Sequence, residues 1–162
     1  MTPEDIAKLP YRPCVGIMLA REDGKIFTGT RIDAPVENPA WQMPQGGIDK
    51  GEAAVDAAFR ELGEETGVTP DLVTLLAQTK DSVPYELPHE LIPKLWKGRY
   101  RGQMQQWFLF RFHGSDADID ITTHEQEFSE WKWMDVETLL GNIVPFKHDV
   151  YQKVIAEFRG LL

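Results

Sequence analysis

Apolar residues recur along the chain in short runs that predict β-strands. The most convincing run covers residues 103–113. Its aromatic side chains are expected to form the core and rim of a sheet rather than a substrate site, and they are Trp107, Phe108, Phe110 and Phe112. Further strands are predicted at residues 15–20, 25–29, 41–45, 72–82 and 131–134. A turn signal at residues 21–24 joins the first two of these into a hairpin.

Apolar residues three and four positions apart predict α-helices. The clearest helix lies between Gly51 and Gly67, and Gly67 is placed to end it in a left-handed conformation. Its apolar stripe consists of Ala54, Val55, Ala58, Phe59 and Leu62. A short helix is predicted at residues 136–140, capped by Asp135, and a final helix at 145–158. Residues 1–10 form a weakly helical lead-in.

Segments rich in polar residues, glycine and proline separate these elements and predict loops at residues 31–39, 84–102 and 114–127. No internal repeat or linker interrupts the order of strands and helices. The order predicts an α/β fold in which two or three helices pack on a mixed sheet. A single domain is expected over residues 1–162, with a core from about 11 to 158.

The composition excludes several classes of protein. Hydrophobic residues make up 42% and charged residues 27% of the 162 positions, and no apolar run is long enough to span a membrane. The net charge of −9 argues against broad binding to nucleic acid, but one charged end could bind through local basic residues and metal ions. Cys14 is the only cysteine and is expected to be buried. We expect a cytoplasmic protein, a monomer or weak dimer, without a membrane or DNA partner.

Acidic residues cluster on one face of the clearest helix. Glu61, Glu64 and Glu65 lie three and four positions apart, so that their carboxylates share a face and repel one another. Such oxygen ligands suit a hard cation such as Mg²⁺ or Mn²⁺, with phosphate oxygens completing its coordination. Arg60 can pair with Glu52 and thereby orient a ligand carboxylate. The alternative is a solvated acidic face that binds nothing.

These residues follow a fixed register. Residues 46–68 match the pattern G-x5-E-x7-R-E-U-x-E-E-x-G-U at every defined position, where U is an aliphatic residue. The pattern resembles the signature box of the Nudix hydrolases, which cleave nucleoside diphosphates linked to another group. The resemblance implies a Nudix fold, an α/β/α sandwich with a mixed central sheet. It also implies dependence on Mg²⁺, for which Mn²⁺ or another divalent cation can substitute.

Motifs outside the box narrow this resemblance to one branch of the family. In their order and spacing they are similar to the bacterial branch of RNA pyrophosphohydrolases and dinucleoside polyphosphate hydrolases. These motifs are residues 11–13, 15–17, 41–47, 105–108, 127–128, 131–133 and 144–151. Members of the branch remove pyrophosphate from the 5′ end of RNA or split dinucleoside polyphosphates. The expected partner is therefore 5′-triphosphorylated or diphosphorylated RNA, or a dinucleoside polyphosphate.

The resemblance implies a role for each matching residue. The implied metal ligands are Glu61, Glu64, Glu65, Glu127 and Gly46. The residues implied in catalysis are Glu64, Glu65, Glu127 and Arg60. The residues implied in contacts with the phosphates or the RNA start are Arg12, Arg31 and Lys147. Those implied in holding the second base are Val144 and Phe146, the latter by stacking.

Some of these roles have alternatives. Arg12 could be a surface residue beside a proline, and Phe146 could belong to the core at the start of a helix. Glu125 or Glu130 could take the place of Glu127, which is preferred because of the motif around it.

Two other functions also remain open. One is a diadenosine tetraphosphate hydrolase that acts on small nucleotides. The basic segment 94–101 weighs against it, because a small substrate needs no extended basic surface. The other is a non-catalytic nucleotide-binding domain, against which the complete set of box carboxylates weighs. His113 and His124 have no evident partner and are not expected to act in catalysis.

Overall fold

The computed structural model of the protein describes residues 2–34 and 40–162. The strands in these ranges are β1 Tyr11–Ala20, β2 Ile26–Arg31, β3 Trp41–Gln42, β4 Gln45–Gly47, β5 Val73–Gln78, β6 Val83–Glu86, β7 Gly102–Phe112 and β8 Phe128–Met134. The α-helices are α1 Pro3–Ala7, α2 Ala54–Thr66, α3 Val136–Leu140 and α4 Pro145–Phe158. No helix in the described ranges is long and apolar enough to cross a membrane.

All the strands join one mixed sheet. Its main path runs β3–β2–β1–β7–β5, while β4 pairs with β1, β6 with β7, and β8 with β2. The central strands β1 and β7 are parallel, with Tyr11 opposite Gly102 and Ala20 opposite Arg111. The remaining pairs are antiparallel. The two longest strands therefore form the centre of the sheet.

Alternating side chains of the central strands supply a core on each face of the sheet. On β1, Val15 and Ile17 belong to the core beneath α2, whereas Met18 belongs to the core beneath α1, α3 and α4. Helices thus cover both faces, and the predicted α/β/α sandwich is confirmed. The shared sheet supports the prediction of a single domain, which stays a prediction. Cys14 is fully buried, as expected.

Helix α2 begins and ends close to the predicted positions. Gly67 ends it with φ of 74°, and its amide donates to the Gly63 carbonyl at 2.9 Å. Any side chain here would also meet the Asp120 backbone, since a Cβ would lie 2.9 Å from its carbonyl oxygen. The predicted stripe omitted Ala57, which is buried beside Ala58. The buried face is therefore turned slightly from the predicted one.

Two strand predictions were wrong in detail. Residues 41–45 contribute to two short strands instead of one. Strand pairing is interrupted at Met43–Pro44, because proline has no amide hydrogen to donate to a neighbouring strand. The irregular segment predicted at 84–102 in fact starts within β6, which pairs with β7. Pro84 obscured this strand, although an edge strand tolerates proline.

Other boundaries differ for local reasons. Strand β5 is shorter than the predicted 72–82, and a register shift between Leu75 and Ala77 explains its uneven alternation. Asp135 stands at the N-cap of α3, but its side chain forms no capping hydrogen bond. Arg31 belongs to β2 rather than to the predicted loop 31–39, and residues 35–39 of that loop lie outside the described residues.

Candidate active site

A cleft of about 500 Å³ opens between the carboxylate face of α2 and the sheet. The start of β1 and β7, the end of β2, strand β4 and the first turn of α4 all contribute to it. Its lining residues are Arg12, Arg31, Asp33, Gln45, Gly46, Gly47, Glu61, Glu64, Glu65, Tyr85, Leu87, Leu95, Trp96, Gln103, His124, Glu125, Glu127, Phe146 and Lys147. Most of the sequence-predicted site residues are therefore brought together here.

One wall of the cleft is acidic. Glu61, Glu64 and Glu65 reach it from α2, and Glu127 joins them from the position before β8. Gly46 of β4 lies directly against this wall, since a Cβ there would be 2.0 Å from Cδ of Glu61. A glycine is thus required for α2 to approach β4 so closely. The structure brings together all the residues predicted as metal ligands.

Glu65 is the most buried acid of this wall. Its side chain is only 4% exposed, and its Oε2 has no hydrogen-bond partner in the described part of the chain. Burial, followed by the charges of Glu61 and Glu127, raises the pKa of Glu65 well above its usual range. An unpaired buried carboxylate costs free energy. A cation in the cleft would remove that cost.

Arg60 lies behind the acidic wall and does not line the cleft. Its Nε and Nη2 donate to Glu52 at 2.9 Å, which is the pair predicted from the sequence. Its Nη1 donates to Glu61 at 2.8 Å and to Glu64 at 3.3 Å. The hydrogen bonds from Arg60 lower the pKa of Glu52 to about 2. Arg60 is thus placed to orient the carboxylates, as the sequence suggested, and its role in catalysis stays a prediction.

Arg31 joins the acidic wall to the end of β2. Its Nη1 lies 3.3 Å from Oε2 of Glu127, and its Nε lies 3.0 Å from Oδ1 of Asp33. An incoming phosphate would have to compete with these two carboxylates for Arg31. Glu125 also lines the cleft, whereas Glu130 does not. The position of Glu127 agrees with the choice made from its motif, and Glu125 stays an alternative.

Arg12 shares a face of β1 with Met18, which is the face away from α2. This face forms the opposite wall of the cleft, and Arg12 is held there differently. Its guanidinium carbon lies 5.1 Å from the centroid of the Trp96 ring, and a Cβ on Gly47 would be 2.5 Å from its Nη2. Its one polar partner in the described residues is Sγ of Cys14 at 3.5 Å, a weak acceptor. No carboxylate there lies within 4.0 Å of it. Stacking thus fixes Arg12 while most of its donors stay available.

The first turn of α4 closes one end of the cleft. Lys147 is buried with Nζ 3.3 Å from Oε1 of Gln42, and burial lowers the pKa of Lys147 to about 8. Phe146 is half-buried, with its ring centroid 6.0 Å from that of Tyr85. Val144 is the N-cap of α4 and does not line the cleft, so its predicted contact with a base gains no support.

A family model described as NUDIX domain matches residues 10–154. The match includes all the acidic residues of the cleft and most of α4. The chain belongs to the Nudix hydrolase family. The resemblance seen in residues 46–68 is thereby confirmed. As a Nudix hydrolase, the protein is an enzyme that acts on pyrophosphate bonds.

Several bacterial proteins are similar to this Nudix hydrolase over their whole length. The RNA pyrophosphohydrolase of Roseobacter denitrificans is 59% identical over 162 residues, which is 100% of both chains. The RNA pyrophosphohydrolase of Sphingopyxis alaskensis is 54% identical over 158 residues, or 98% of this chain and 99% of its own. Both relatives are named RNA pyrophosphohydrolase, which is the branch of the family that the motifs outside residues 46–68 predicted.

Solved structures of more distant Nudix proteins share the fold. The E. coli dihydroneopterin triphosphate pyrophosphohydrolase has a TM-score of 0.70 at 19% identity, covering 91% of this chain and 99% of its own. A C. elegans Ap4A hydrolase in a binary complex has a TM-score of 0.66 at 21% identity, covering 92% and 98%. At such identities the likeness establishes the fold and not the substrate.

Nudix hydrolases generally use divalent metal ions, and the donors of the acidic wall fit such an ion. All are carboxylate oxygens, and Oε2 of Glu65, which has no hydrogen-bond partner among the described residues, is available as a ligand atom. Across the residues that the structure describes, no three His, Cys, Asp or Glu side chains form a ready-made metal cluster. Arg60 explains part of this, because it binds Glu61 and Glu64. A cation would draw these carboxylates from Arg60.

Sequence reasoning missed several residues of the cleft. His124, expected to have no partner, has its Nε2 3.8 Å from Oε1 of Glu64. Gln103 lies opposite Arg12 in the parallel β1–β7 pair, and Gln45 pairs with β1 from β4. These two glutamines are polar residues on strands, and only the sheet register shows that they face the cleft.

Proposed function

We propose that this protein is an RNA pyrophosphohydrolase that removes pyrophosphate from the 5′-triphosphate end of RNA with Mg²⁺, for which Mn²⁺ can substitute. The identity of 59% over the full length to an RNA pyrophosphohydrolase supports the reaction. The observation that carries the proposal is the arrangement of the cleft. An acidic wall faces a wall of cationic and donor groups, which suits a metal ion and a phosphate chain side by side.

Each wall takes one part in the mechanism. Glu61, Glu64, Glu65 and Glu127 would hold the divalent cation. When bound, the cation supplies positive charge to the phosphate chain and makes nearby water more acidic. The carboxylate of Glu127, Glu64 or Glu65 takes the proton from the attacking water. The water then attacks phosphorus and pyrophosphate leaves, without a covalent enzyme intermediate.

The opposite wall orients the substrate. Arg12 offers N–H donors in a planar fork that matches phosphate oxygens. Lys147 and Arg31 add positive charge at the base and rim of the cleft. Phe146 has a half-exposed ring on which a base can stack.

A basic surface beside the cleft favours RNA over a small dinucleotide. Lys94, Lys97 and Arg99 are exposed, and they flank Leu95 and Trp96, which line the cleft. An RNA chain carries further phosphates beyond its 5′ end, and these can reach such a surface. A dinucleoside polyphosphate has no such extension. The segment predicted to be basic thus has a position that suits an RNA substrate.

The test compares kcat/KM for a triphosphorylated oligoribonucleotide and for diadenosine tetraphosphate, each with Mg²⁺ and with Mn²⁺. We expect the RNA to be preferred, and a monophosphorylated RNA of the same sequence serves as the control substrate. A Lys94→Gln, Lys97→Gln double variant should lower kcat/KM for the RNA alone. A hundredfold preference for diadenosine tetraphosphate would overturn the choice of substrate. The cytoplasmic location and the monomeric or weakly dimeric state stay predictions.

A further inference from the structure

A hydrogen-bond relay runs behind the cleft wall that faces the carboxylates. Nε1 of Trp107 donates to Oε1 of Gln105 at 2.9 Å. Nε2 of Gln105 in turn donates to Oε1 of Gln45 at 2.8 Å and to Oε1 of Gln103 at 2.7 Å. Trp107, Gln105 and Gln103 are buried, and Gln103 and Gln45 also line the cleft. The relay therefore connects the core to the surface that meets a substrate.

The chemistry of the indole sets the direction of the relay. An indole N–H can only donate, so Gln105 has to present its amide oxygen to Trp107. The amide nitrogen of Gln105 then faces the other two glutamines, and both accept with their oxygens. A glycine makes this possible, because a Cβ on Gly16 would lie 2.3 Å from the indole ring. The amide orientations thus follow from a donor that cannot be reversed.

The amide nitrogens of Gln103 and Gln45 are left facing away from Gln105. Nε2 of Gln103 has no acceptor among residues 2–34 and 40–162, although Gln103 lines the cleft. Tyr85 and Gln45 line the cleft near Gln103. Gln103 lies opposite Arg12 on β1 and opposite Tyr85 on β6. Side chains paired in this way point to the same face of the sheet.

We propose that Gln105 is a positioning residue that holds the Gln103 and Gln45 amides with their N–H groups outward, so that Gln103 donates to a substrate phosphate oxygen beside Arg12. This inference rests on the proposed function, because it concerns the phosphates of the same substrate. An unfixed amide could turn its oxygen toward the phosphate, and two acceptors would then repel. The relay prevents the amide oxygen from facing the phosphate, and it does so before the substrate binds.

Gln105→Glu reverses the relay. A carboxylate only accepts hydrogen bonds, so it would draw the N–H groups of Gln103 and Gln45 inward and turn their oxygens outward. We expect KM for a triphosphorylated oligoribonucleotide to rise about tenfold to hundredfold, with kcat changed less than about threefold. Gln152→Glu makes the same substitution at an exposed position of α4 and should leave KM within about twofold.

A double-mutant cycle separates reorientation from the added negative charge. In a Gln103→Met background the outward amide is absent, so the effect of Gln105→Glu on KM should fall to about threefold or less. An equal rise of KM in both backgrounds would overturn the relay, because a through-space charge effect needs no Gln103. An unchanged KM in the Gln105→Glu single variant would also overturn it.

A milder variant covers the case in which Gln105→Glu does not fold. Gln105→Met releases both amides without reversing them, and we expect a rise of KM of about threefold to tenfold that is absent with Gln103→Met. Additive effects of these two substitutions would contradict the relay. The same cycle with diadenosine tetraphosphate tests the relay on its own, since its phosphates offer the same oxygens. Failure of the RNA assignment is therefore distinguishable from failure of the relay.

Discussion

The two walls of the cleft hold their charged groups in opposite ways. On the acidic wall, Arg60 binds Glu61 and Glu64 from behind, so that these carboxylates are partly compensated before any ligand arrives. On the opposite wall, Arg12 is held by the Trp96 ring and has no carboxylate partner in the described parts of the chain. One wall is therefore stabilised by charge pairing and the other by stacking.

The difference indicates what each wall binds. Carboxylates that repel one another need some support in the absence of a cation, and Arg60 supplies it. An arginine meant for a phosphate should not be occupied by a carboxylate, and stacking fixes Arg12 without one. The cleft thus suits a cation on one side and an anion on the other. Substitutions on each wall should affect different steps.

The largest expected effect comes from the acidic wall. Glu65→Gln removes the charge of the most buried carboxylate, and we expect release of pyrophosphate from triphosphorylated RNA to fall about 10²- to 10⁴-fold. Glu130→Gln is the matched control, because Glu130 is exposed and does not line the cleft. Activity of Glu65→Gln within a few-fold of wild type would refute the assignment of the acidic wall.

Loss of Arg12 should weaken substrate binding more than chemistry. Arg12→Ala removes charge-assisted hydrogen bonds to phosphate, and we expect KM to rise about tenfold to hundredfold with a smaller change in kcat. Arg159→Ala removes an exposed arginine outside both the cleft and the basic surface, and it serves as the control in steady-state kinetics. A pure fall in kcat would show that Arg12 is not a binding residue.

The pair of Arg60 and Glu52 behind the acidic wall should make the stability of the fold depend on pH in the acid range. Arg60 lowers the pKa of Glu52 from 4.5 to about 2, so the pair stabilises the fold above pH 4.5 and this stability is lost as the pH falls toward 2. Thermal unfolding should therefore separate wild type from Glu52→Gln at neutral pH, with the difference disappearing in acid. A difference that is independent of pH between 2 and 7 would contradict the pairing.

The smallest expected effect concerns Arg31, which lines the cleft as Arg12 does but pairs with carboxylates as Arg60 does. Asp33→Asn removes one exposed carboxylate from Arg31 and should lower KM by less than about fivefold, because exposed ion pairs are weak. Asp23→Asn is the control, since Asp23 pairs with Arg21 two residues earlier and lies outside the cleft. A rise in KM would show that Asp33 helps to orient Arg31 for the substrate.

The box and the fold could be predicted because they depend on local spacing. Helical periodicity places Glu61, Glu64 and Glu65 on one face, and alternation identifies β7. The position of Gln103 beside Arg12 depends on the pairing of strands that are far apart in sequence, and no local pattern reports it. Strand β6 was missed because Pro84 is typical of loops.

Local reasoning predicted the surroundings of Arg60 but not those of Arg12. Arg60 donates to Glu52, eight residues earlier, as the sequence predicted, and it does not line the cleft. Trp96, which stacks on Arg12, stands in a segment that reads as an irregular basic loop. The neighbour of Arg12 is therefore fixed by tertiary packing, whereas the partners of Arg60 lie close to it in sequence.

Manganese binding in the absence of substrate tests the division between the walls most directly. Electron paramagnetic resonance can measure Mn²⁺ affinity for wild type, Glu65→Gln and Arg12→Ala. We predict that Glu65→Gln weakens Mn²⁺ binding about tenfold or more, whereas Arg12→Ala leaves it within about twofold. Equal weakening by both substitutions, or Mn²⁺ binding unchanged in Glu65→Gln, would contradict the account.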